Sequence, residues 1–223
     1  MESGTCHNGW RKQSLLPLAG ALLFFGLLFS GPVFASSIFI NEFHYDNAGT
    51  DVGEGVEIAG TADSDLSDWS LFFYRDSGTF YDFFKLSGTI PNLQNGFGVL
   101  SFFRLEIQNG PADGIALIHD TSVVQFLSYE GTLKALDGPA IGRESTDVGV
   151  FESGSKVASS LQLIRDGANY DDFKWSPETQ NSFGAINAGQ SFVAPIPTPE
   201  PSTFALFGAA VAALALLRKR IKT

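Results

Sequence analysis

Cysteine is nearly absent from the 223-residue chain, and Cys6 is the only one. It precedes an apolar run close to the N-terminus, so a mature form cut after that run has no disulfide, no thiolate nucleophile and no cysteine metal ligand. It also stands on the wrong side of the run to serve as a lipoprotein attachment site. Basic residues are scarce as well. Residues 36–200 carry eight Lys and Arg against 23 Asp and Glu, a net charge of −15. A body this acidic repels phosphate backbones, which disfavours direct nucleic-acid binding. No long stretch repeats apolar residues at 3.6 spacing, and no internal repeat or Gly-rich phosphate loop is present.

The chain is instead rich in Gly (24) and Phe (21), arranged as short β-branched and aromatic runs between turn residues. The runs predict strands near Ser37–His44, Val56–Ala59, Trp69–Arg75, Phe80–Leu86, Gly98–Phe103, Ile115–His119, Val123–Tyr129 and Leu161–Arg165. Between them fall turn signals such as Arg75-Asp76-Ser77-Gly78, Gln94-Asn95-Gly96 and His119-Asp120-Thr121-Ser122. Strands at this spacing predict one all-β domain over 36–194, an antiparallel sandwich of two sheets. Leu71-Phe72-Phe73-Tyr74 and Phe83-Phe84 are apolar on both faces, which suits a doubly covered strand or a binding surface. Residues 131–160 form a long Gly-, Ser- and Asp-rich connection that Val148, Val150, Phe151 and Val157 are placed to pin down.

Both ends read as processing segments. Arg11 and Lys12 precede the apolar stretch Leu15–Phe29, then Ser30-Gly31-Pro32 and Val33-Phe34-Ala35. This is the order of a signal peptide over 1–35, a signal helix cleaved between Ala35 and Ser36. At the other end, 195–203 is a stiff proline-rich linker. Residues 204–217 are uncharged and helix-forming, and 218–223 are basic. The run predicts a transmembrane helix with its basic end in the cytoplasm. As a helix it measures roughly 21 Å against a hydrocarbon core of ~30 Å, a gap narrowed by counting from Pro201 and by snorkelling of the basic side chains.

Pro199-Glu200-Pro201-Ser202-Thr203, the apolar run and the terminal Arg-Lys-Arg resemble the PEP-CTERM sorting signal of Gram-negative bacteria. The resemblance implies recognition by an exosortase-type membrane peptidase, loss of the helix, and delivery to the cell surface or an extracellular matrix. It also implies export across the inner membrane with the helix as a transient membrane anchor. The domain blocks Ile40-Asn41-Glu42-Phe43, Val56-Glu57-Ile58, Leu66-Ser67-Asp68-Trp69-Ser70-Leu71 and Asp113-Gly114-Ile115-Ala116-Leu117 resemble the lamin-tail family. So do Val124–Tyr129, Ser160-Leu161-Gln162-Leu163 and Phe183-Gly184-Ala185-Ile186-Asn187. That resemblance implies an immunoglobulin-like sandwich. It also implies a Glu at the positions of Glu42 and Glu57.

Candidate chemistry is sparse. Glu42 and Glu57 sit within apolar strands. They are either a carboxylate pair facing one pocket, as a hydrolase needs, or acceptors for turn N–H groups that hold the sheet ends. The second reading is favoured. Asp46, Asn47, Asp51 and Glu54 share a Gly-rich loop, which makes Asp46, Asp51 and Glu54 calcium candidates, although the spacing is not that of an EF-hand. His44 and His119 lack the H-x-x-x-H spacing of a zinc site. Glu152-Ser153-Gly154-Ser155 lacks the first glycine of a nucleophile elbow. No catalytic residue is assigned and no cofactor other than calcium is considered. The expected role is non-enzymatic, structural or adhesive, in the cell envelope or exopolysaccharide matrix. Its partners would be exopolysaccharide or another secreted protein. The alternative is a binding module or accessory subunit of a separately encoded secreted hydrolase, a nuclease or phosphatase.

Overall fold

The computed structural model describes residue 1 and residues 37–104, 106–153, 158–194, 206–211, 213, 214 and 218. The chain divides into Met1–Val33 and Phe34–Thr223. The first unit contributes only Met1 to the described residues. The signal helix and the Ala35–Ser36 cleavage site therefore lie outside them, as do Pro199, Glu200 and Pro201.

The strands run in the order β1 Ile38–His44, β2 Gly55–Thr61, β3 Trp69–Tyr74, β4 Phe80–Lys85, β5 Phe97–Phe103 and β6 Gly114–His119. They continue with β7 Ser122–Ser128, β8 Thr146–Asp147, β9 Ser159–Gly167, β10 Lys174–Gln180 and β11 Gln190–Phe192. One sheet has the order β10-β9-β1-β2-β5, with β11 added on β9, and the other the order β4-β3-β6-β7-β8. Turn chemistry sets several of the reversals. Asn95 and Gly96 both hold positive φ, at 52° and 85°. Phe97 N–H closes that turn on the Gln94 carbonyl at 2.8 Å, the geometry that suits the twist of a hairpin.

The two sheets share one buried cluster, which includes Ile40, Phe43 and Ile58 from the first and Leu71, Phe73 and Leu117 from the second. Within it Phe43 meets Trp175 edge-on at 5.0 Å and packs against Tyr129 at 5.7 Å. Gln125 of β7 also reaches across, its Oε1 accepting the Ile40 N–H at 2.7 Å. The 131–145 segment is ordered over a second small core. There Leu133, Ala135 and Ala140 pack with Tyr74, Ala116, Ile118 and Phe126. Further on, Val148 and Val150 pack against the main core, whereas Phe151 is exposed. Val157 lies outside the described residues.

Two expectations are corrected. The all-antiparallel, immunoglobulin-like sandwich gives way to two open sheets of mixed character, because β11 runs parallel to β9 and β8 parallel to β7. Both parallel strands are only two or three residues long and largely polar. Each pairs with a strand far from it along the chain, so neither shows as an apolar alternation. The second correction concerns the tail. No helix among the described residues is long and apolar enough to cross a membrane. That finding overturns both the transmembrane helix over 204–217 and the transient membrane anchor built on it. The reason is dimensional. Fourteen residues at ~1.5 Å each fall short of the ~30 Å core. Helical backbone is described there only at 206–211, 213, 214 and 218.

The core assignment has a direct test in urea unfolding of the full-length chain. Phe43→Ala should cost about 3–5 kcal/mol, as deletion of a buried aromatic ring does. Phe83→Ala, at a side chain 59% exposed, should change stability by less than about 0.5 kcal/mol.

Candidate functional site

Glu42 and Glu57 are directly opposed across β1 and β2, and both are fully buried. A register irregularity between Ile40 and Glu42 falls at Asn41, whose side chain donates to Glu57 Oε1 at 3.0 Å. The remaining donors come mostly from chain segments distant in sequence. Glu42 Oε1 accepts Ser160 Oγ at 2.7 Å and Ser182 N–H at 2.8 Å, and its Oε2 accepts Ser182 Oγ at 2.9 Å. Glu57 Oε2 accepts Ser101 Oγ at 2.7 Å and Gly184 N–H at 2.6 Å. Both carboxylates thus hold the loop after β10 against the sheet. Asn187 and Gln190 extend the same network, with Asn187 donating to the Leu163 carbonyl and Gln190 to Asn41 Oδ1. As folded, both carboxylates are buried and bind their own chain.

Burial raises the pKa of Glu42 against the opposing Ser160 and Ser182 hydrogen bonds. Glu57 is pushed up to about 7, first by burial and then by the negative charge of Glu42. A carboxyl with a folded pKa near 7 and an ordinary value of 4.5 binds more protons in the folded state between those limits. Its stabilisation is complete below the lower value and is lost as the pH rises through the upper one. Stability measured by urea unfolding should therefore fall between about pH 4.5 and pH 7, by on the order of 3 kcal/mol. Glu57→Gln, which mimics the protonated group, should flatten that dependence.

A second buried cluster, at the end of β1, was not anticipated in this form. Glu152, which entered the sequence reading only as part of a failed nucleophile elbow, is buried beside His44. Its Oε1 lies 2.8 Å from His44 Nδ1. Its Oε2 accepts the N–H groups of Tyr45 and Asp46 at 2.7 and 3.0 Å. Tyr45 returns the link, its hydroxyl accepting the Glu152 N–H and donating to Glu130, both at 2.8 Å. On the other side of the ring, Val52 N–H occupies Asn47 Oδ1 at 2.6 Å, so the Asn47 amide nitrogen faces His44 Nε2 at 2.8 Å. That donor requires a lone pair on Nε2, which makes the imidazole neutral with its proton on Nδ1, pointing at Glu152. Burial lowers the His44 pKa, and the hydrogen bond and charge of Glu152, followed by Asn47 and Val52, more than restore it. Removing the carboxylate with Glu152→Ala should cost about 3–5 kcal/mol in urea unfolding, since it strands several buried donors at once.

The calcium candidates are split by the fold. Asp46 and Asp51 are joined through the Asn109 amide, which donates to both at 3.0 and 3.1 Å. Asp51 also accepts the Asn47 N–H at 3.0 Å. Glu54 is instead buried and accepts the Ile107 N–H at 3.2 Å, with its pKa raised chiefly by burial. Among the described residues no group of three or more His, Cys, Asp or Glu is placed to hold a metal ion. His119, the other histidine among the described residues, is exposed and stacks on Trp69 with ring centroids 4.4 Å apart.

Residues 197–220 match the PEP-CTERM protein-sorting motif, a signal that implies surface or secretory processing and links the chain to an exosortase. No curated protein and no solved structure matches the chain significantly.

Proposed function

We propose that this chain is a non-catalytic, surface-sorted β protein with a structural or adhesive role in the cell envelope or exopolysaccharide matrix. In this reading its C-terminal segment is cut by an exosortase-type peptidase. The observation that carries the proposal is the sorting motif at 197–220. The way the buried carboxylates are used supports it. Glu42, Glu57 and Glu152 are committed to backbone and side-chain donors of their own chain, which is the work of structural clamps. The lamin-tail resemblance rests on the sequence blocks alone, and the proposed role does not depend on it.

The test follows the protein in cells with and without the exosortase, reading the intact mass of surface-extracted material. With the peptidase, the surface species should lack the segment that follows Pro199-Glu200-Pro201. Without it, that segment should persist and the surface fraction should fall. A full-length cytoplasmic product in both strains would end the proposal. Stable co-purification with a secreted nuclease or phosphatase would replace it with the accessory-subunit role.

A further inference from the structure

One face of the second sheet is only partly covered. The 131–145 segment closes its small core over one part of that face. Pro139 of the same segment forms one wall of a cleft of about 520 Å³, within the ~300–1,000 Å³ of small-ligand sites. The floor comes from three adjacent strands. Ser70 of β3 is paired with Lys85 of β4 and Ile118 of β6, and Phe72 with Phe83, so these side chains share one face of the sheet. Phe72 and Phe83 stack at 5.4 Å with their planes 20° apart, and Phe83 is 59% exposed. Asp68, Trp69, Asp120 and Thr121 complete the lining.

This combination selects among ligand chemistries. A stacked aromatic pair with an open face attracts polarised C–H groups through its quadrupole, and one side of a pyranose ring presents several of them. Around the rings stand hydroxyl acceptors (the two carboxylates), a donor (the Lys85 ammonium) and a group that does both (Thr121). A lipid chain or an apolar peptide would leave those rim charges desolvated without partners. An acidic polymer would meet Asp68, Asp120 and a body of net charge −15. We infer that this cleft binds a neutral polysaccharide, with sugar rings against Phe72 and Phe83 and hydroxyls bonded to Asp68, Asp120 and Lys85. The inference rests on the proposed surface role, which would bring the chain among envelope polymers.

The test is affinity electrophoresis of the full-length chain through gels containing hydroxyethyl cellulose, galactomannan or dextran, with alginate as the acidic comparison. At least one neutral polymer should retard the protein, alginate should not, and Phe83→Ala should weaken the retardation about tenfold. Lys85→Ala, at a second exposed position, should weaken it too and provides the same test should Phe83→Ala fail to fold. Retardation by no neutral polymer, by alginate alone, or equally in wild type and folded variants would overturn the inference. So would a dimer in sedimentation that Phe83→Ala turns into a monomer, since the face would then be occupied by a second copy. Surface display without glycan retardation would remove the cleft and leave the sorting role standing. Cytoplasmic retention would remove the role itself.

Discussion

A carboxylate taken out of water must be supplied with donors, and two carboxylates placed side by side need twice as many. Glu42 and Glu57 meet that demand at the β1–β2 pair by drawing in Ser160, Ser101 and the loop that contains Ser182 and Gly184. Much of the first sheet depends on this requirement. Once the loop is held down, β1 is buried along its whole length, and Asn187 and Gln190 are brought over Asn41 and Leu163. The chain then enters β11, which pairs in parallel with β9. The same closeness keeps the pair electrostatically strained, because each negative charge raises the cost of the other.

The other long connections follow the same logic with different residues. Glu152 gathers the start of the 45–54 loop around His44. Asp113 holds the Asp76 and Gly110 N–H groups at 2.8 and 3.0 Å. Tyr74 accepts the Ala140 N–H at 3.1 Å and so ties down the cover of the second sheet. Loops without regular structure are thereby kept in place by buried side chains that satisfy their backbone groups. Beyond that cover, which reaches Phe72, the sheet stays open at Phe83.

Most of the strands were legible because their sequences alternate or run apolar between turn residues, as Ile38–His44 and Gly114–His119 do. The strands that were not legible have physical reasons to be hidden. Lys174–Gln180 carries Pro177 in its interior and survives as an edge strand, with its pairing irregular between Ser176 and Thr179. Thr146–Asp147 and Gln190–Phe192 are too short for any period to show. The double-faced aromatic strand was recognised as such. Its division into a core side (Leu71, Phe73) and an open side (Phe72, Phe83) needed the register of three strands. Glu42 and Glu57 were visible as acids among apolar neighbours. Glu152 was not, since nothing in a Gly- and Ser-rich stretch marks a carboxylate that will pair with a histidine 108 residues away.

The residues in order were sufficient for what is local or additive: the acidity of the body, the sorting motif and most of the strand positions. Each depends on composition or on spacings of a few residues, which the linear chain displays directly. Only the tertiary structure decided which acids share a boundary, which strands run parallel and which aromatic rings remain uncovered. Those outcomes depend on segments brought together from across the chain, and their free energies arise from burial that no single segment provides.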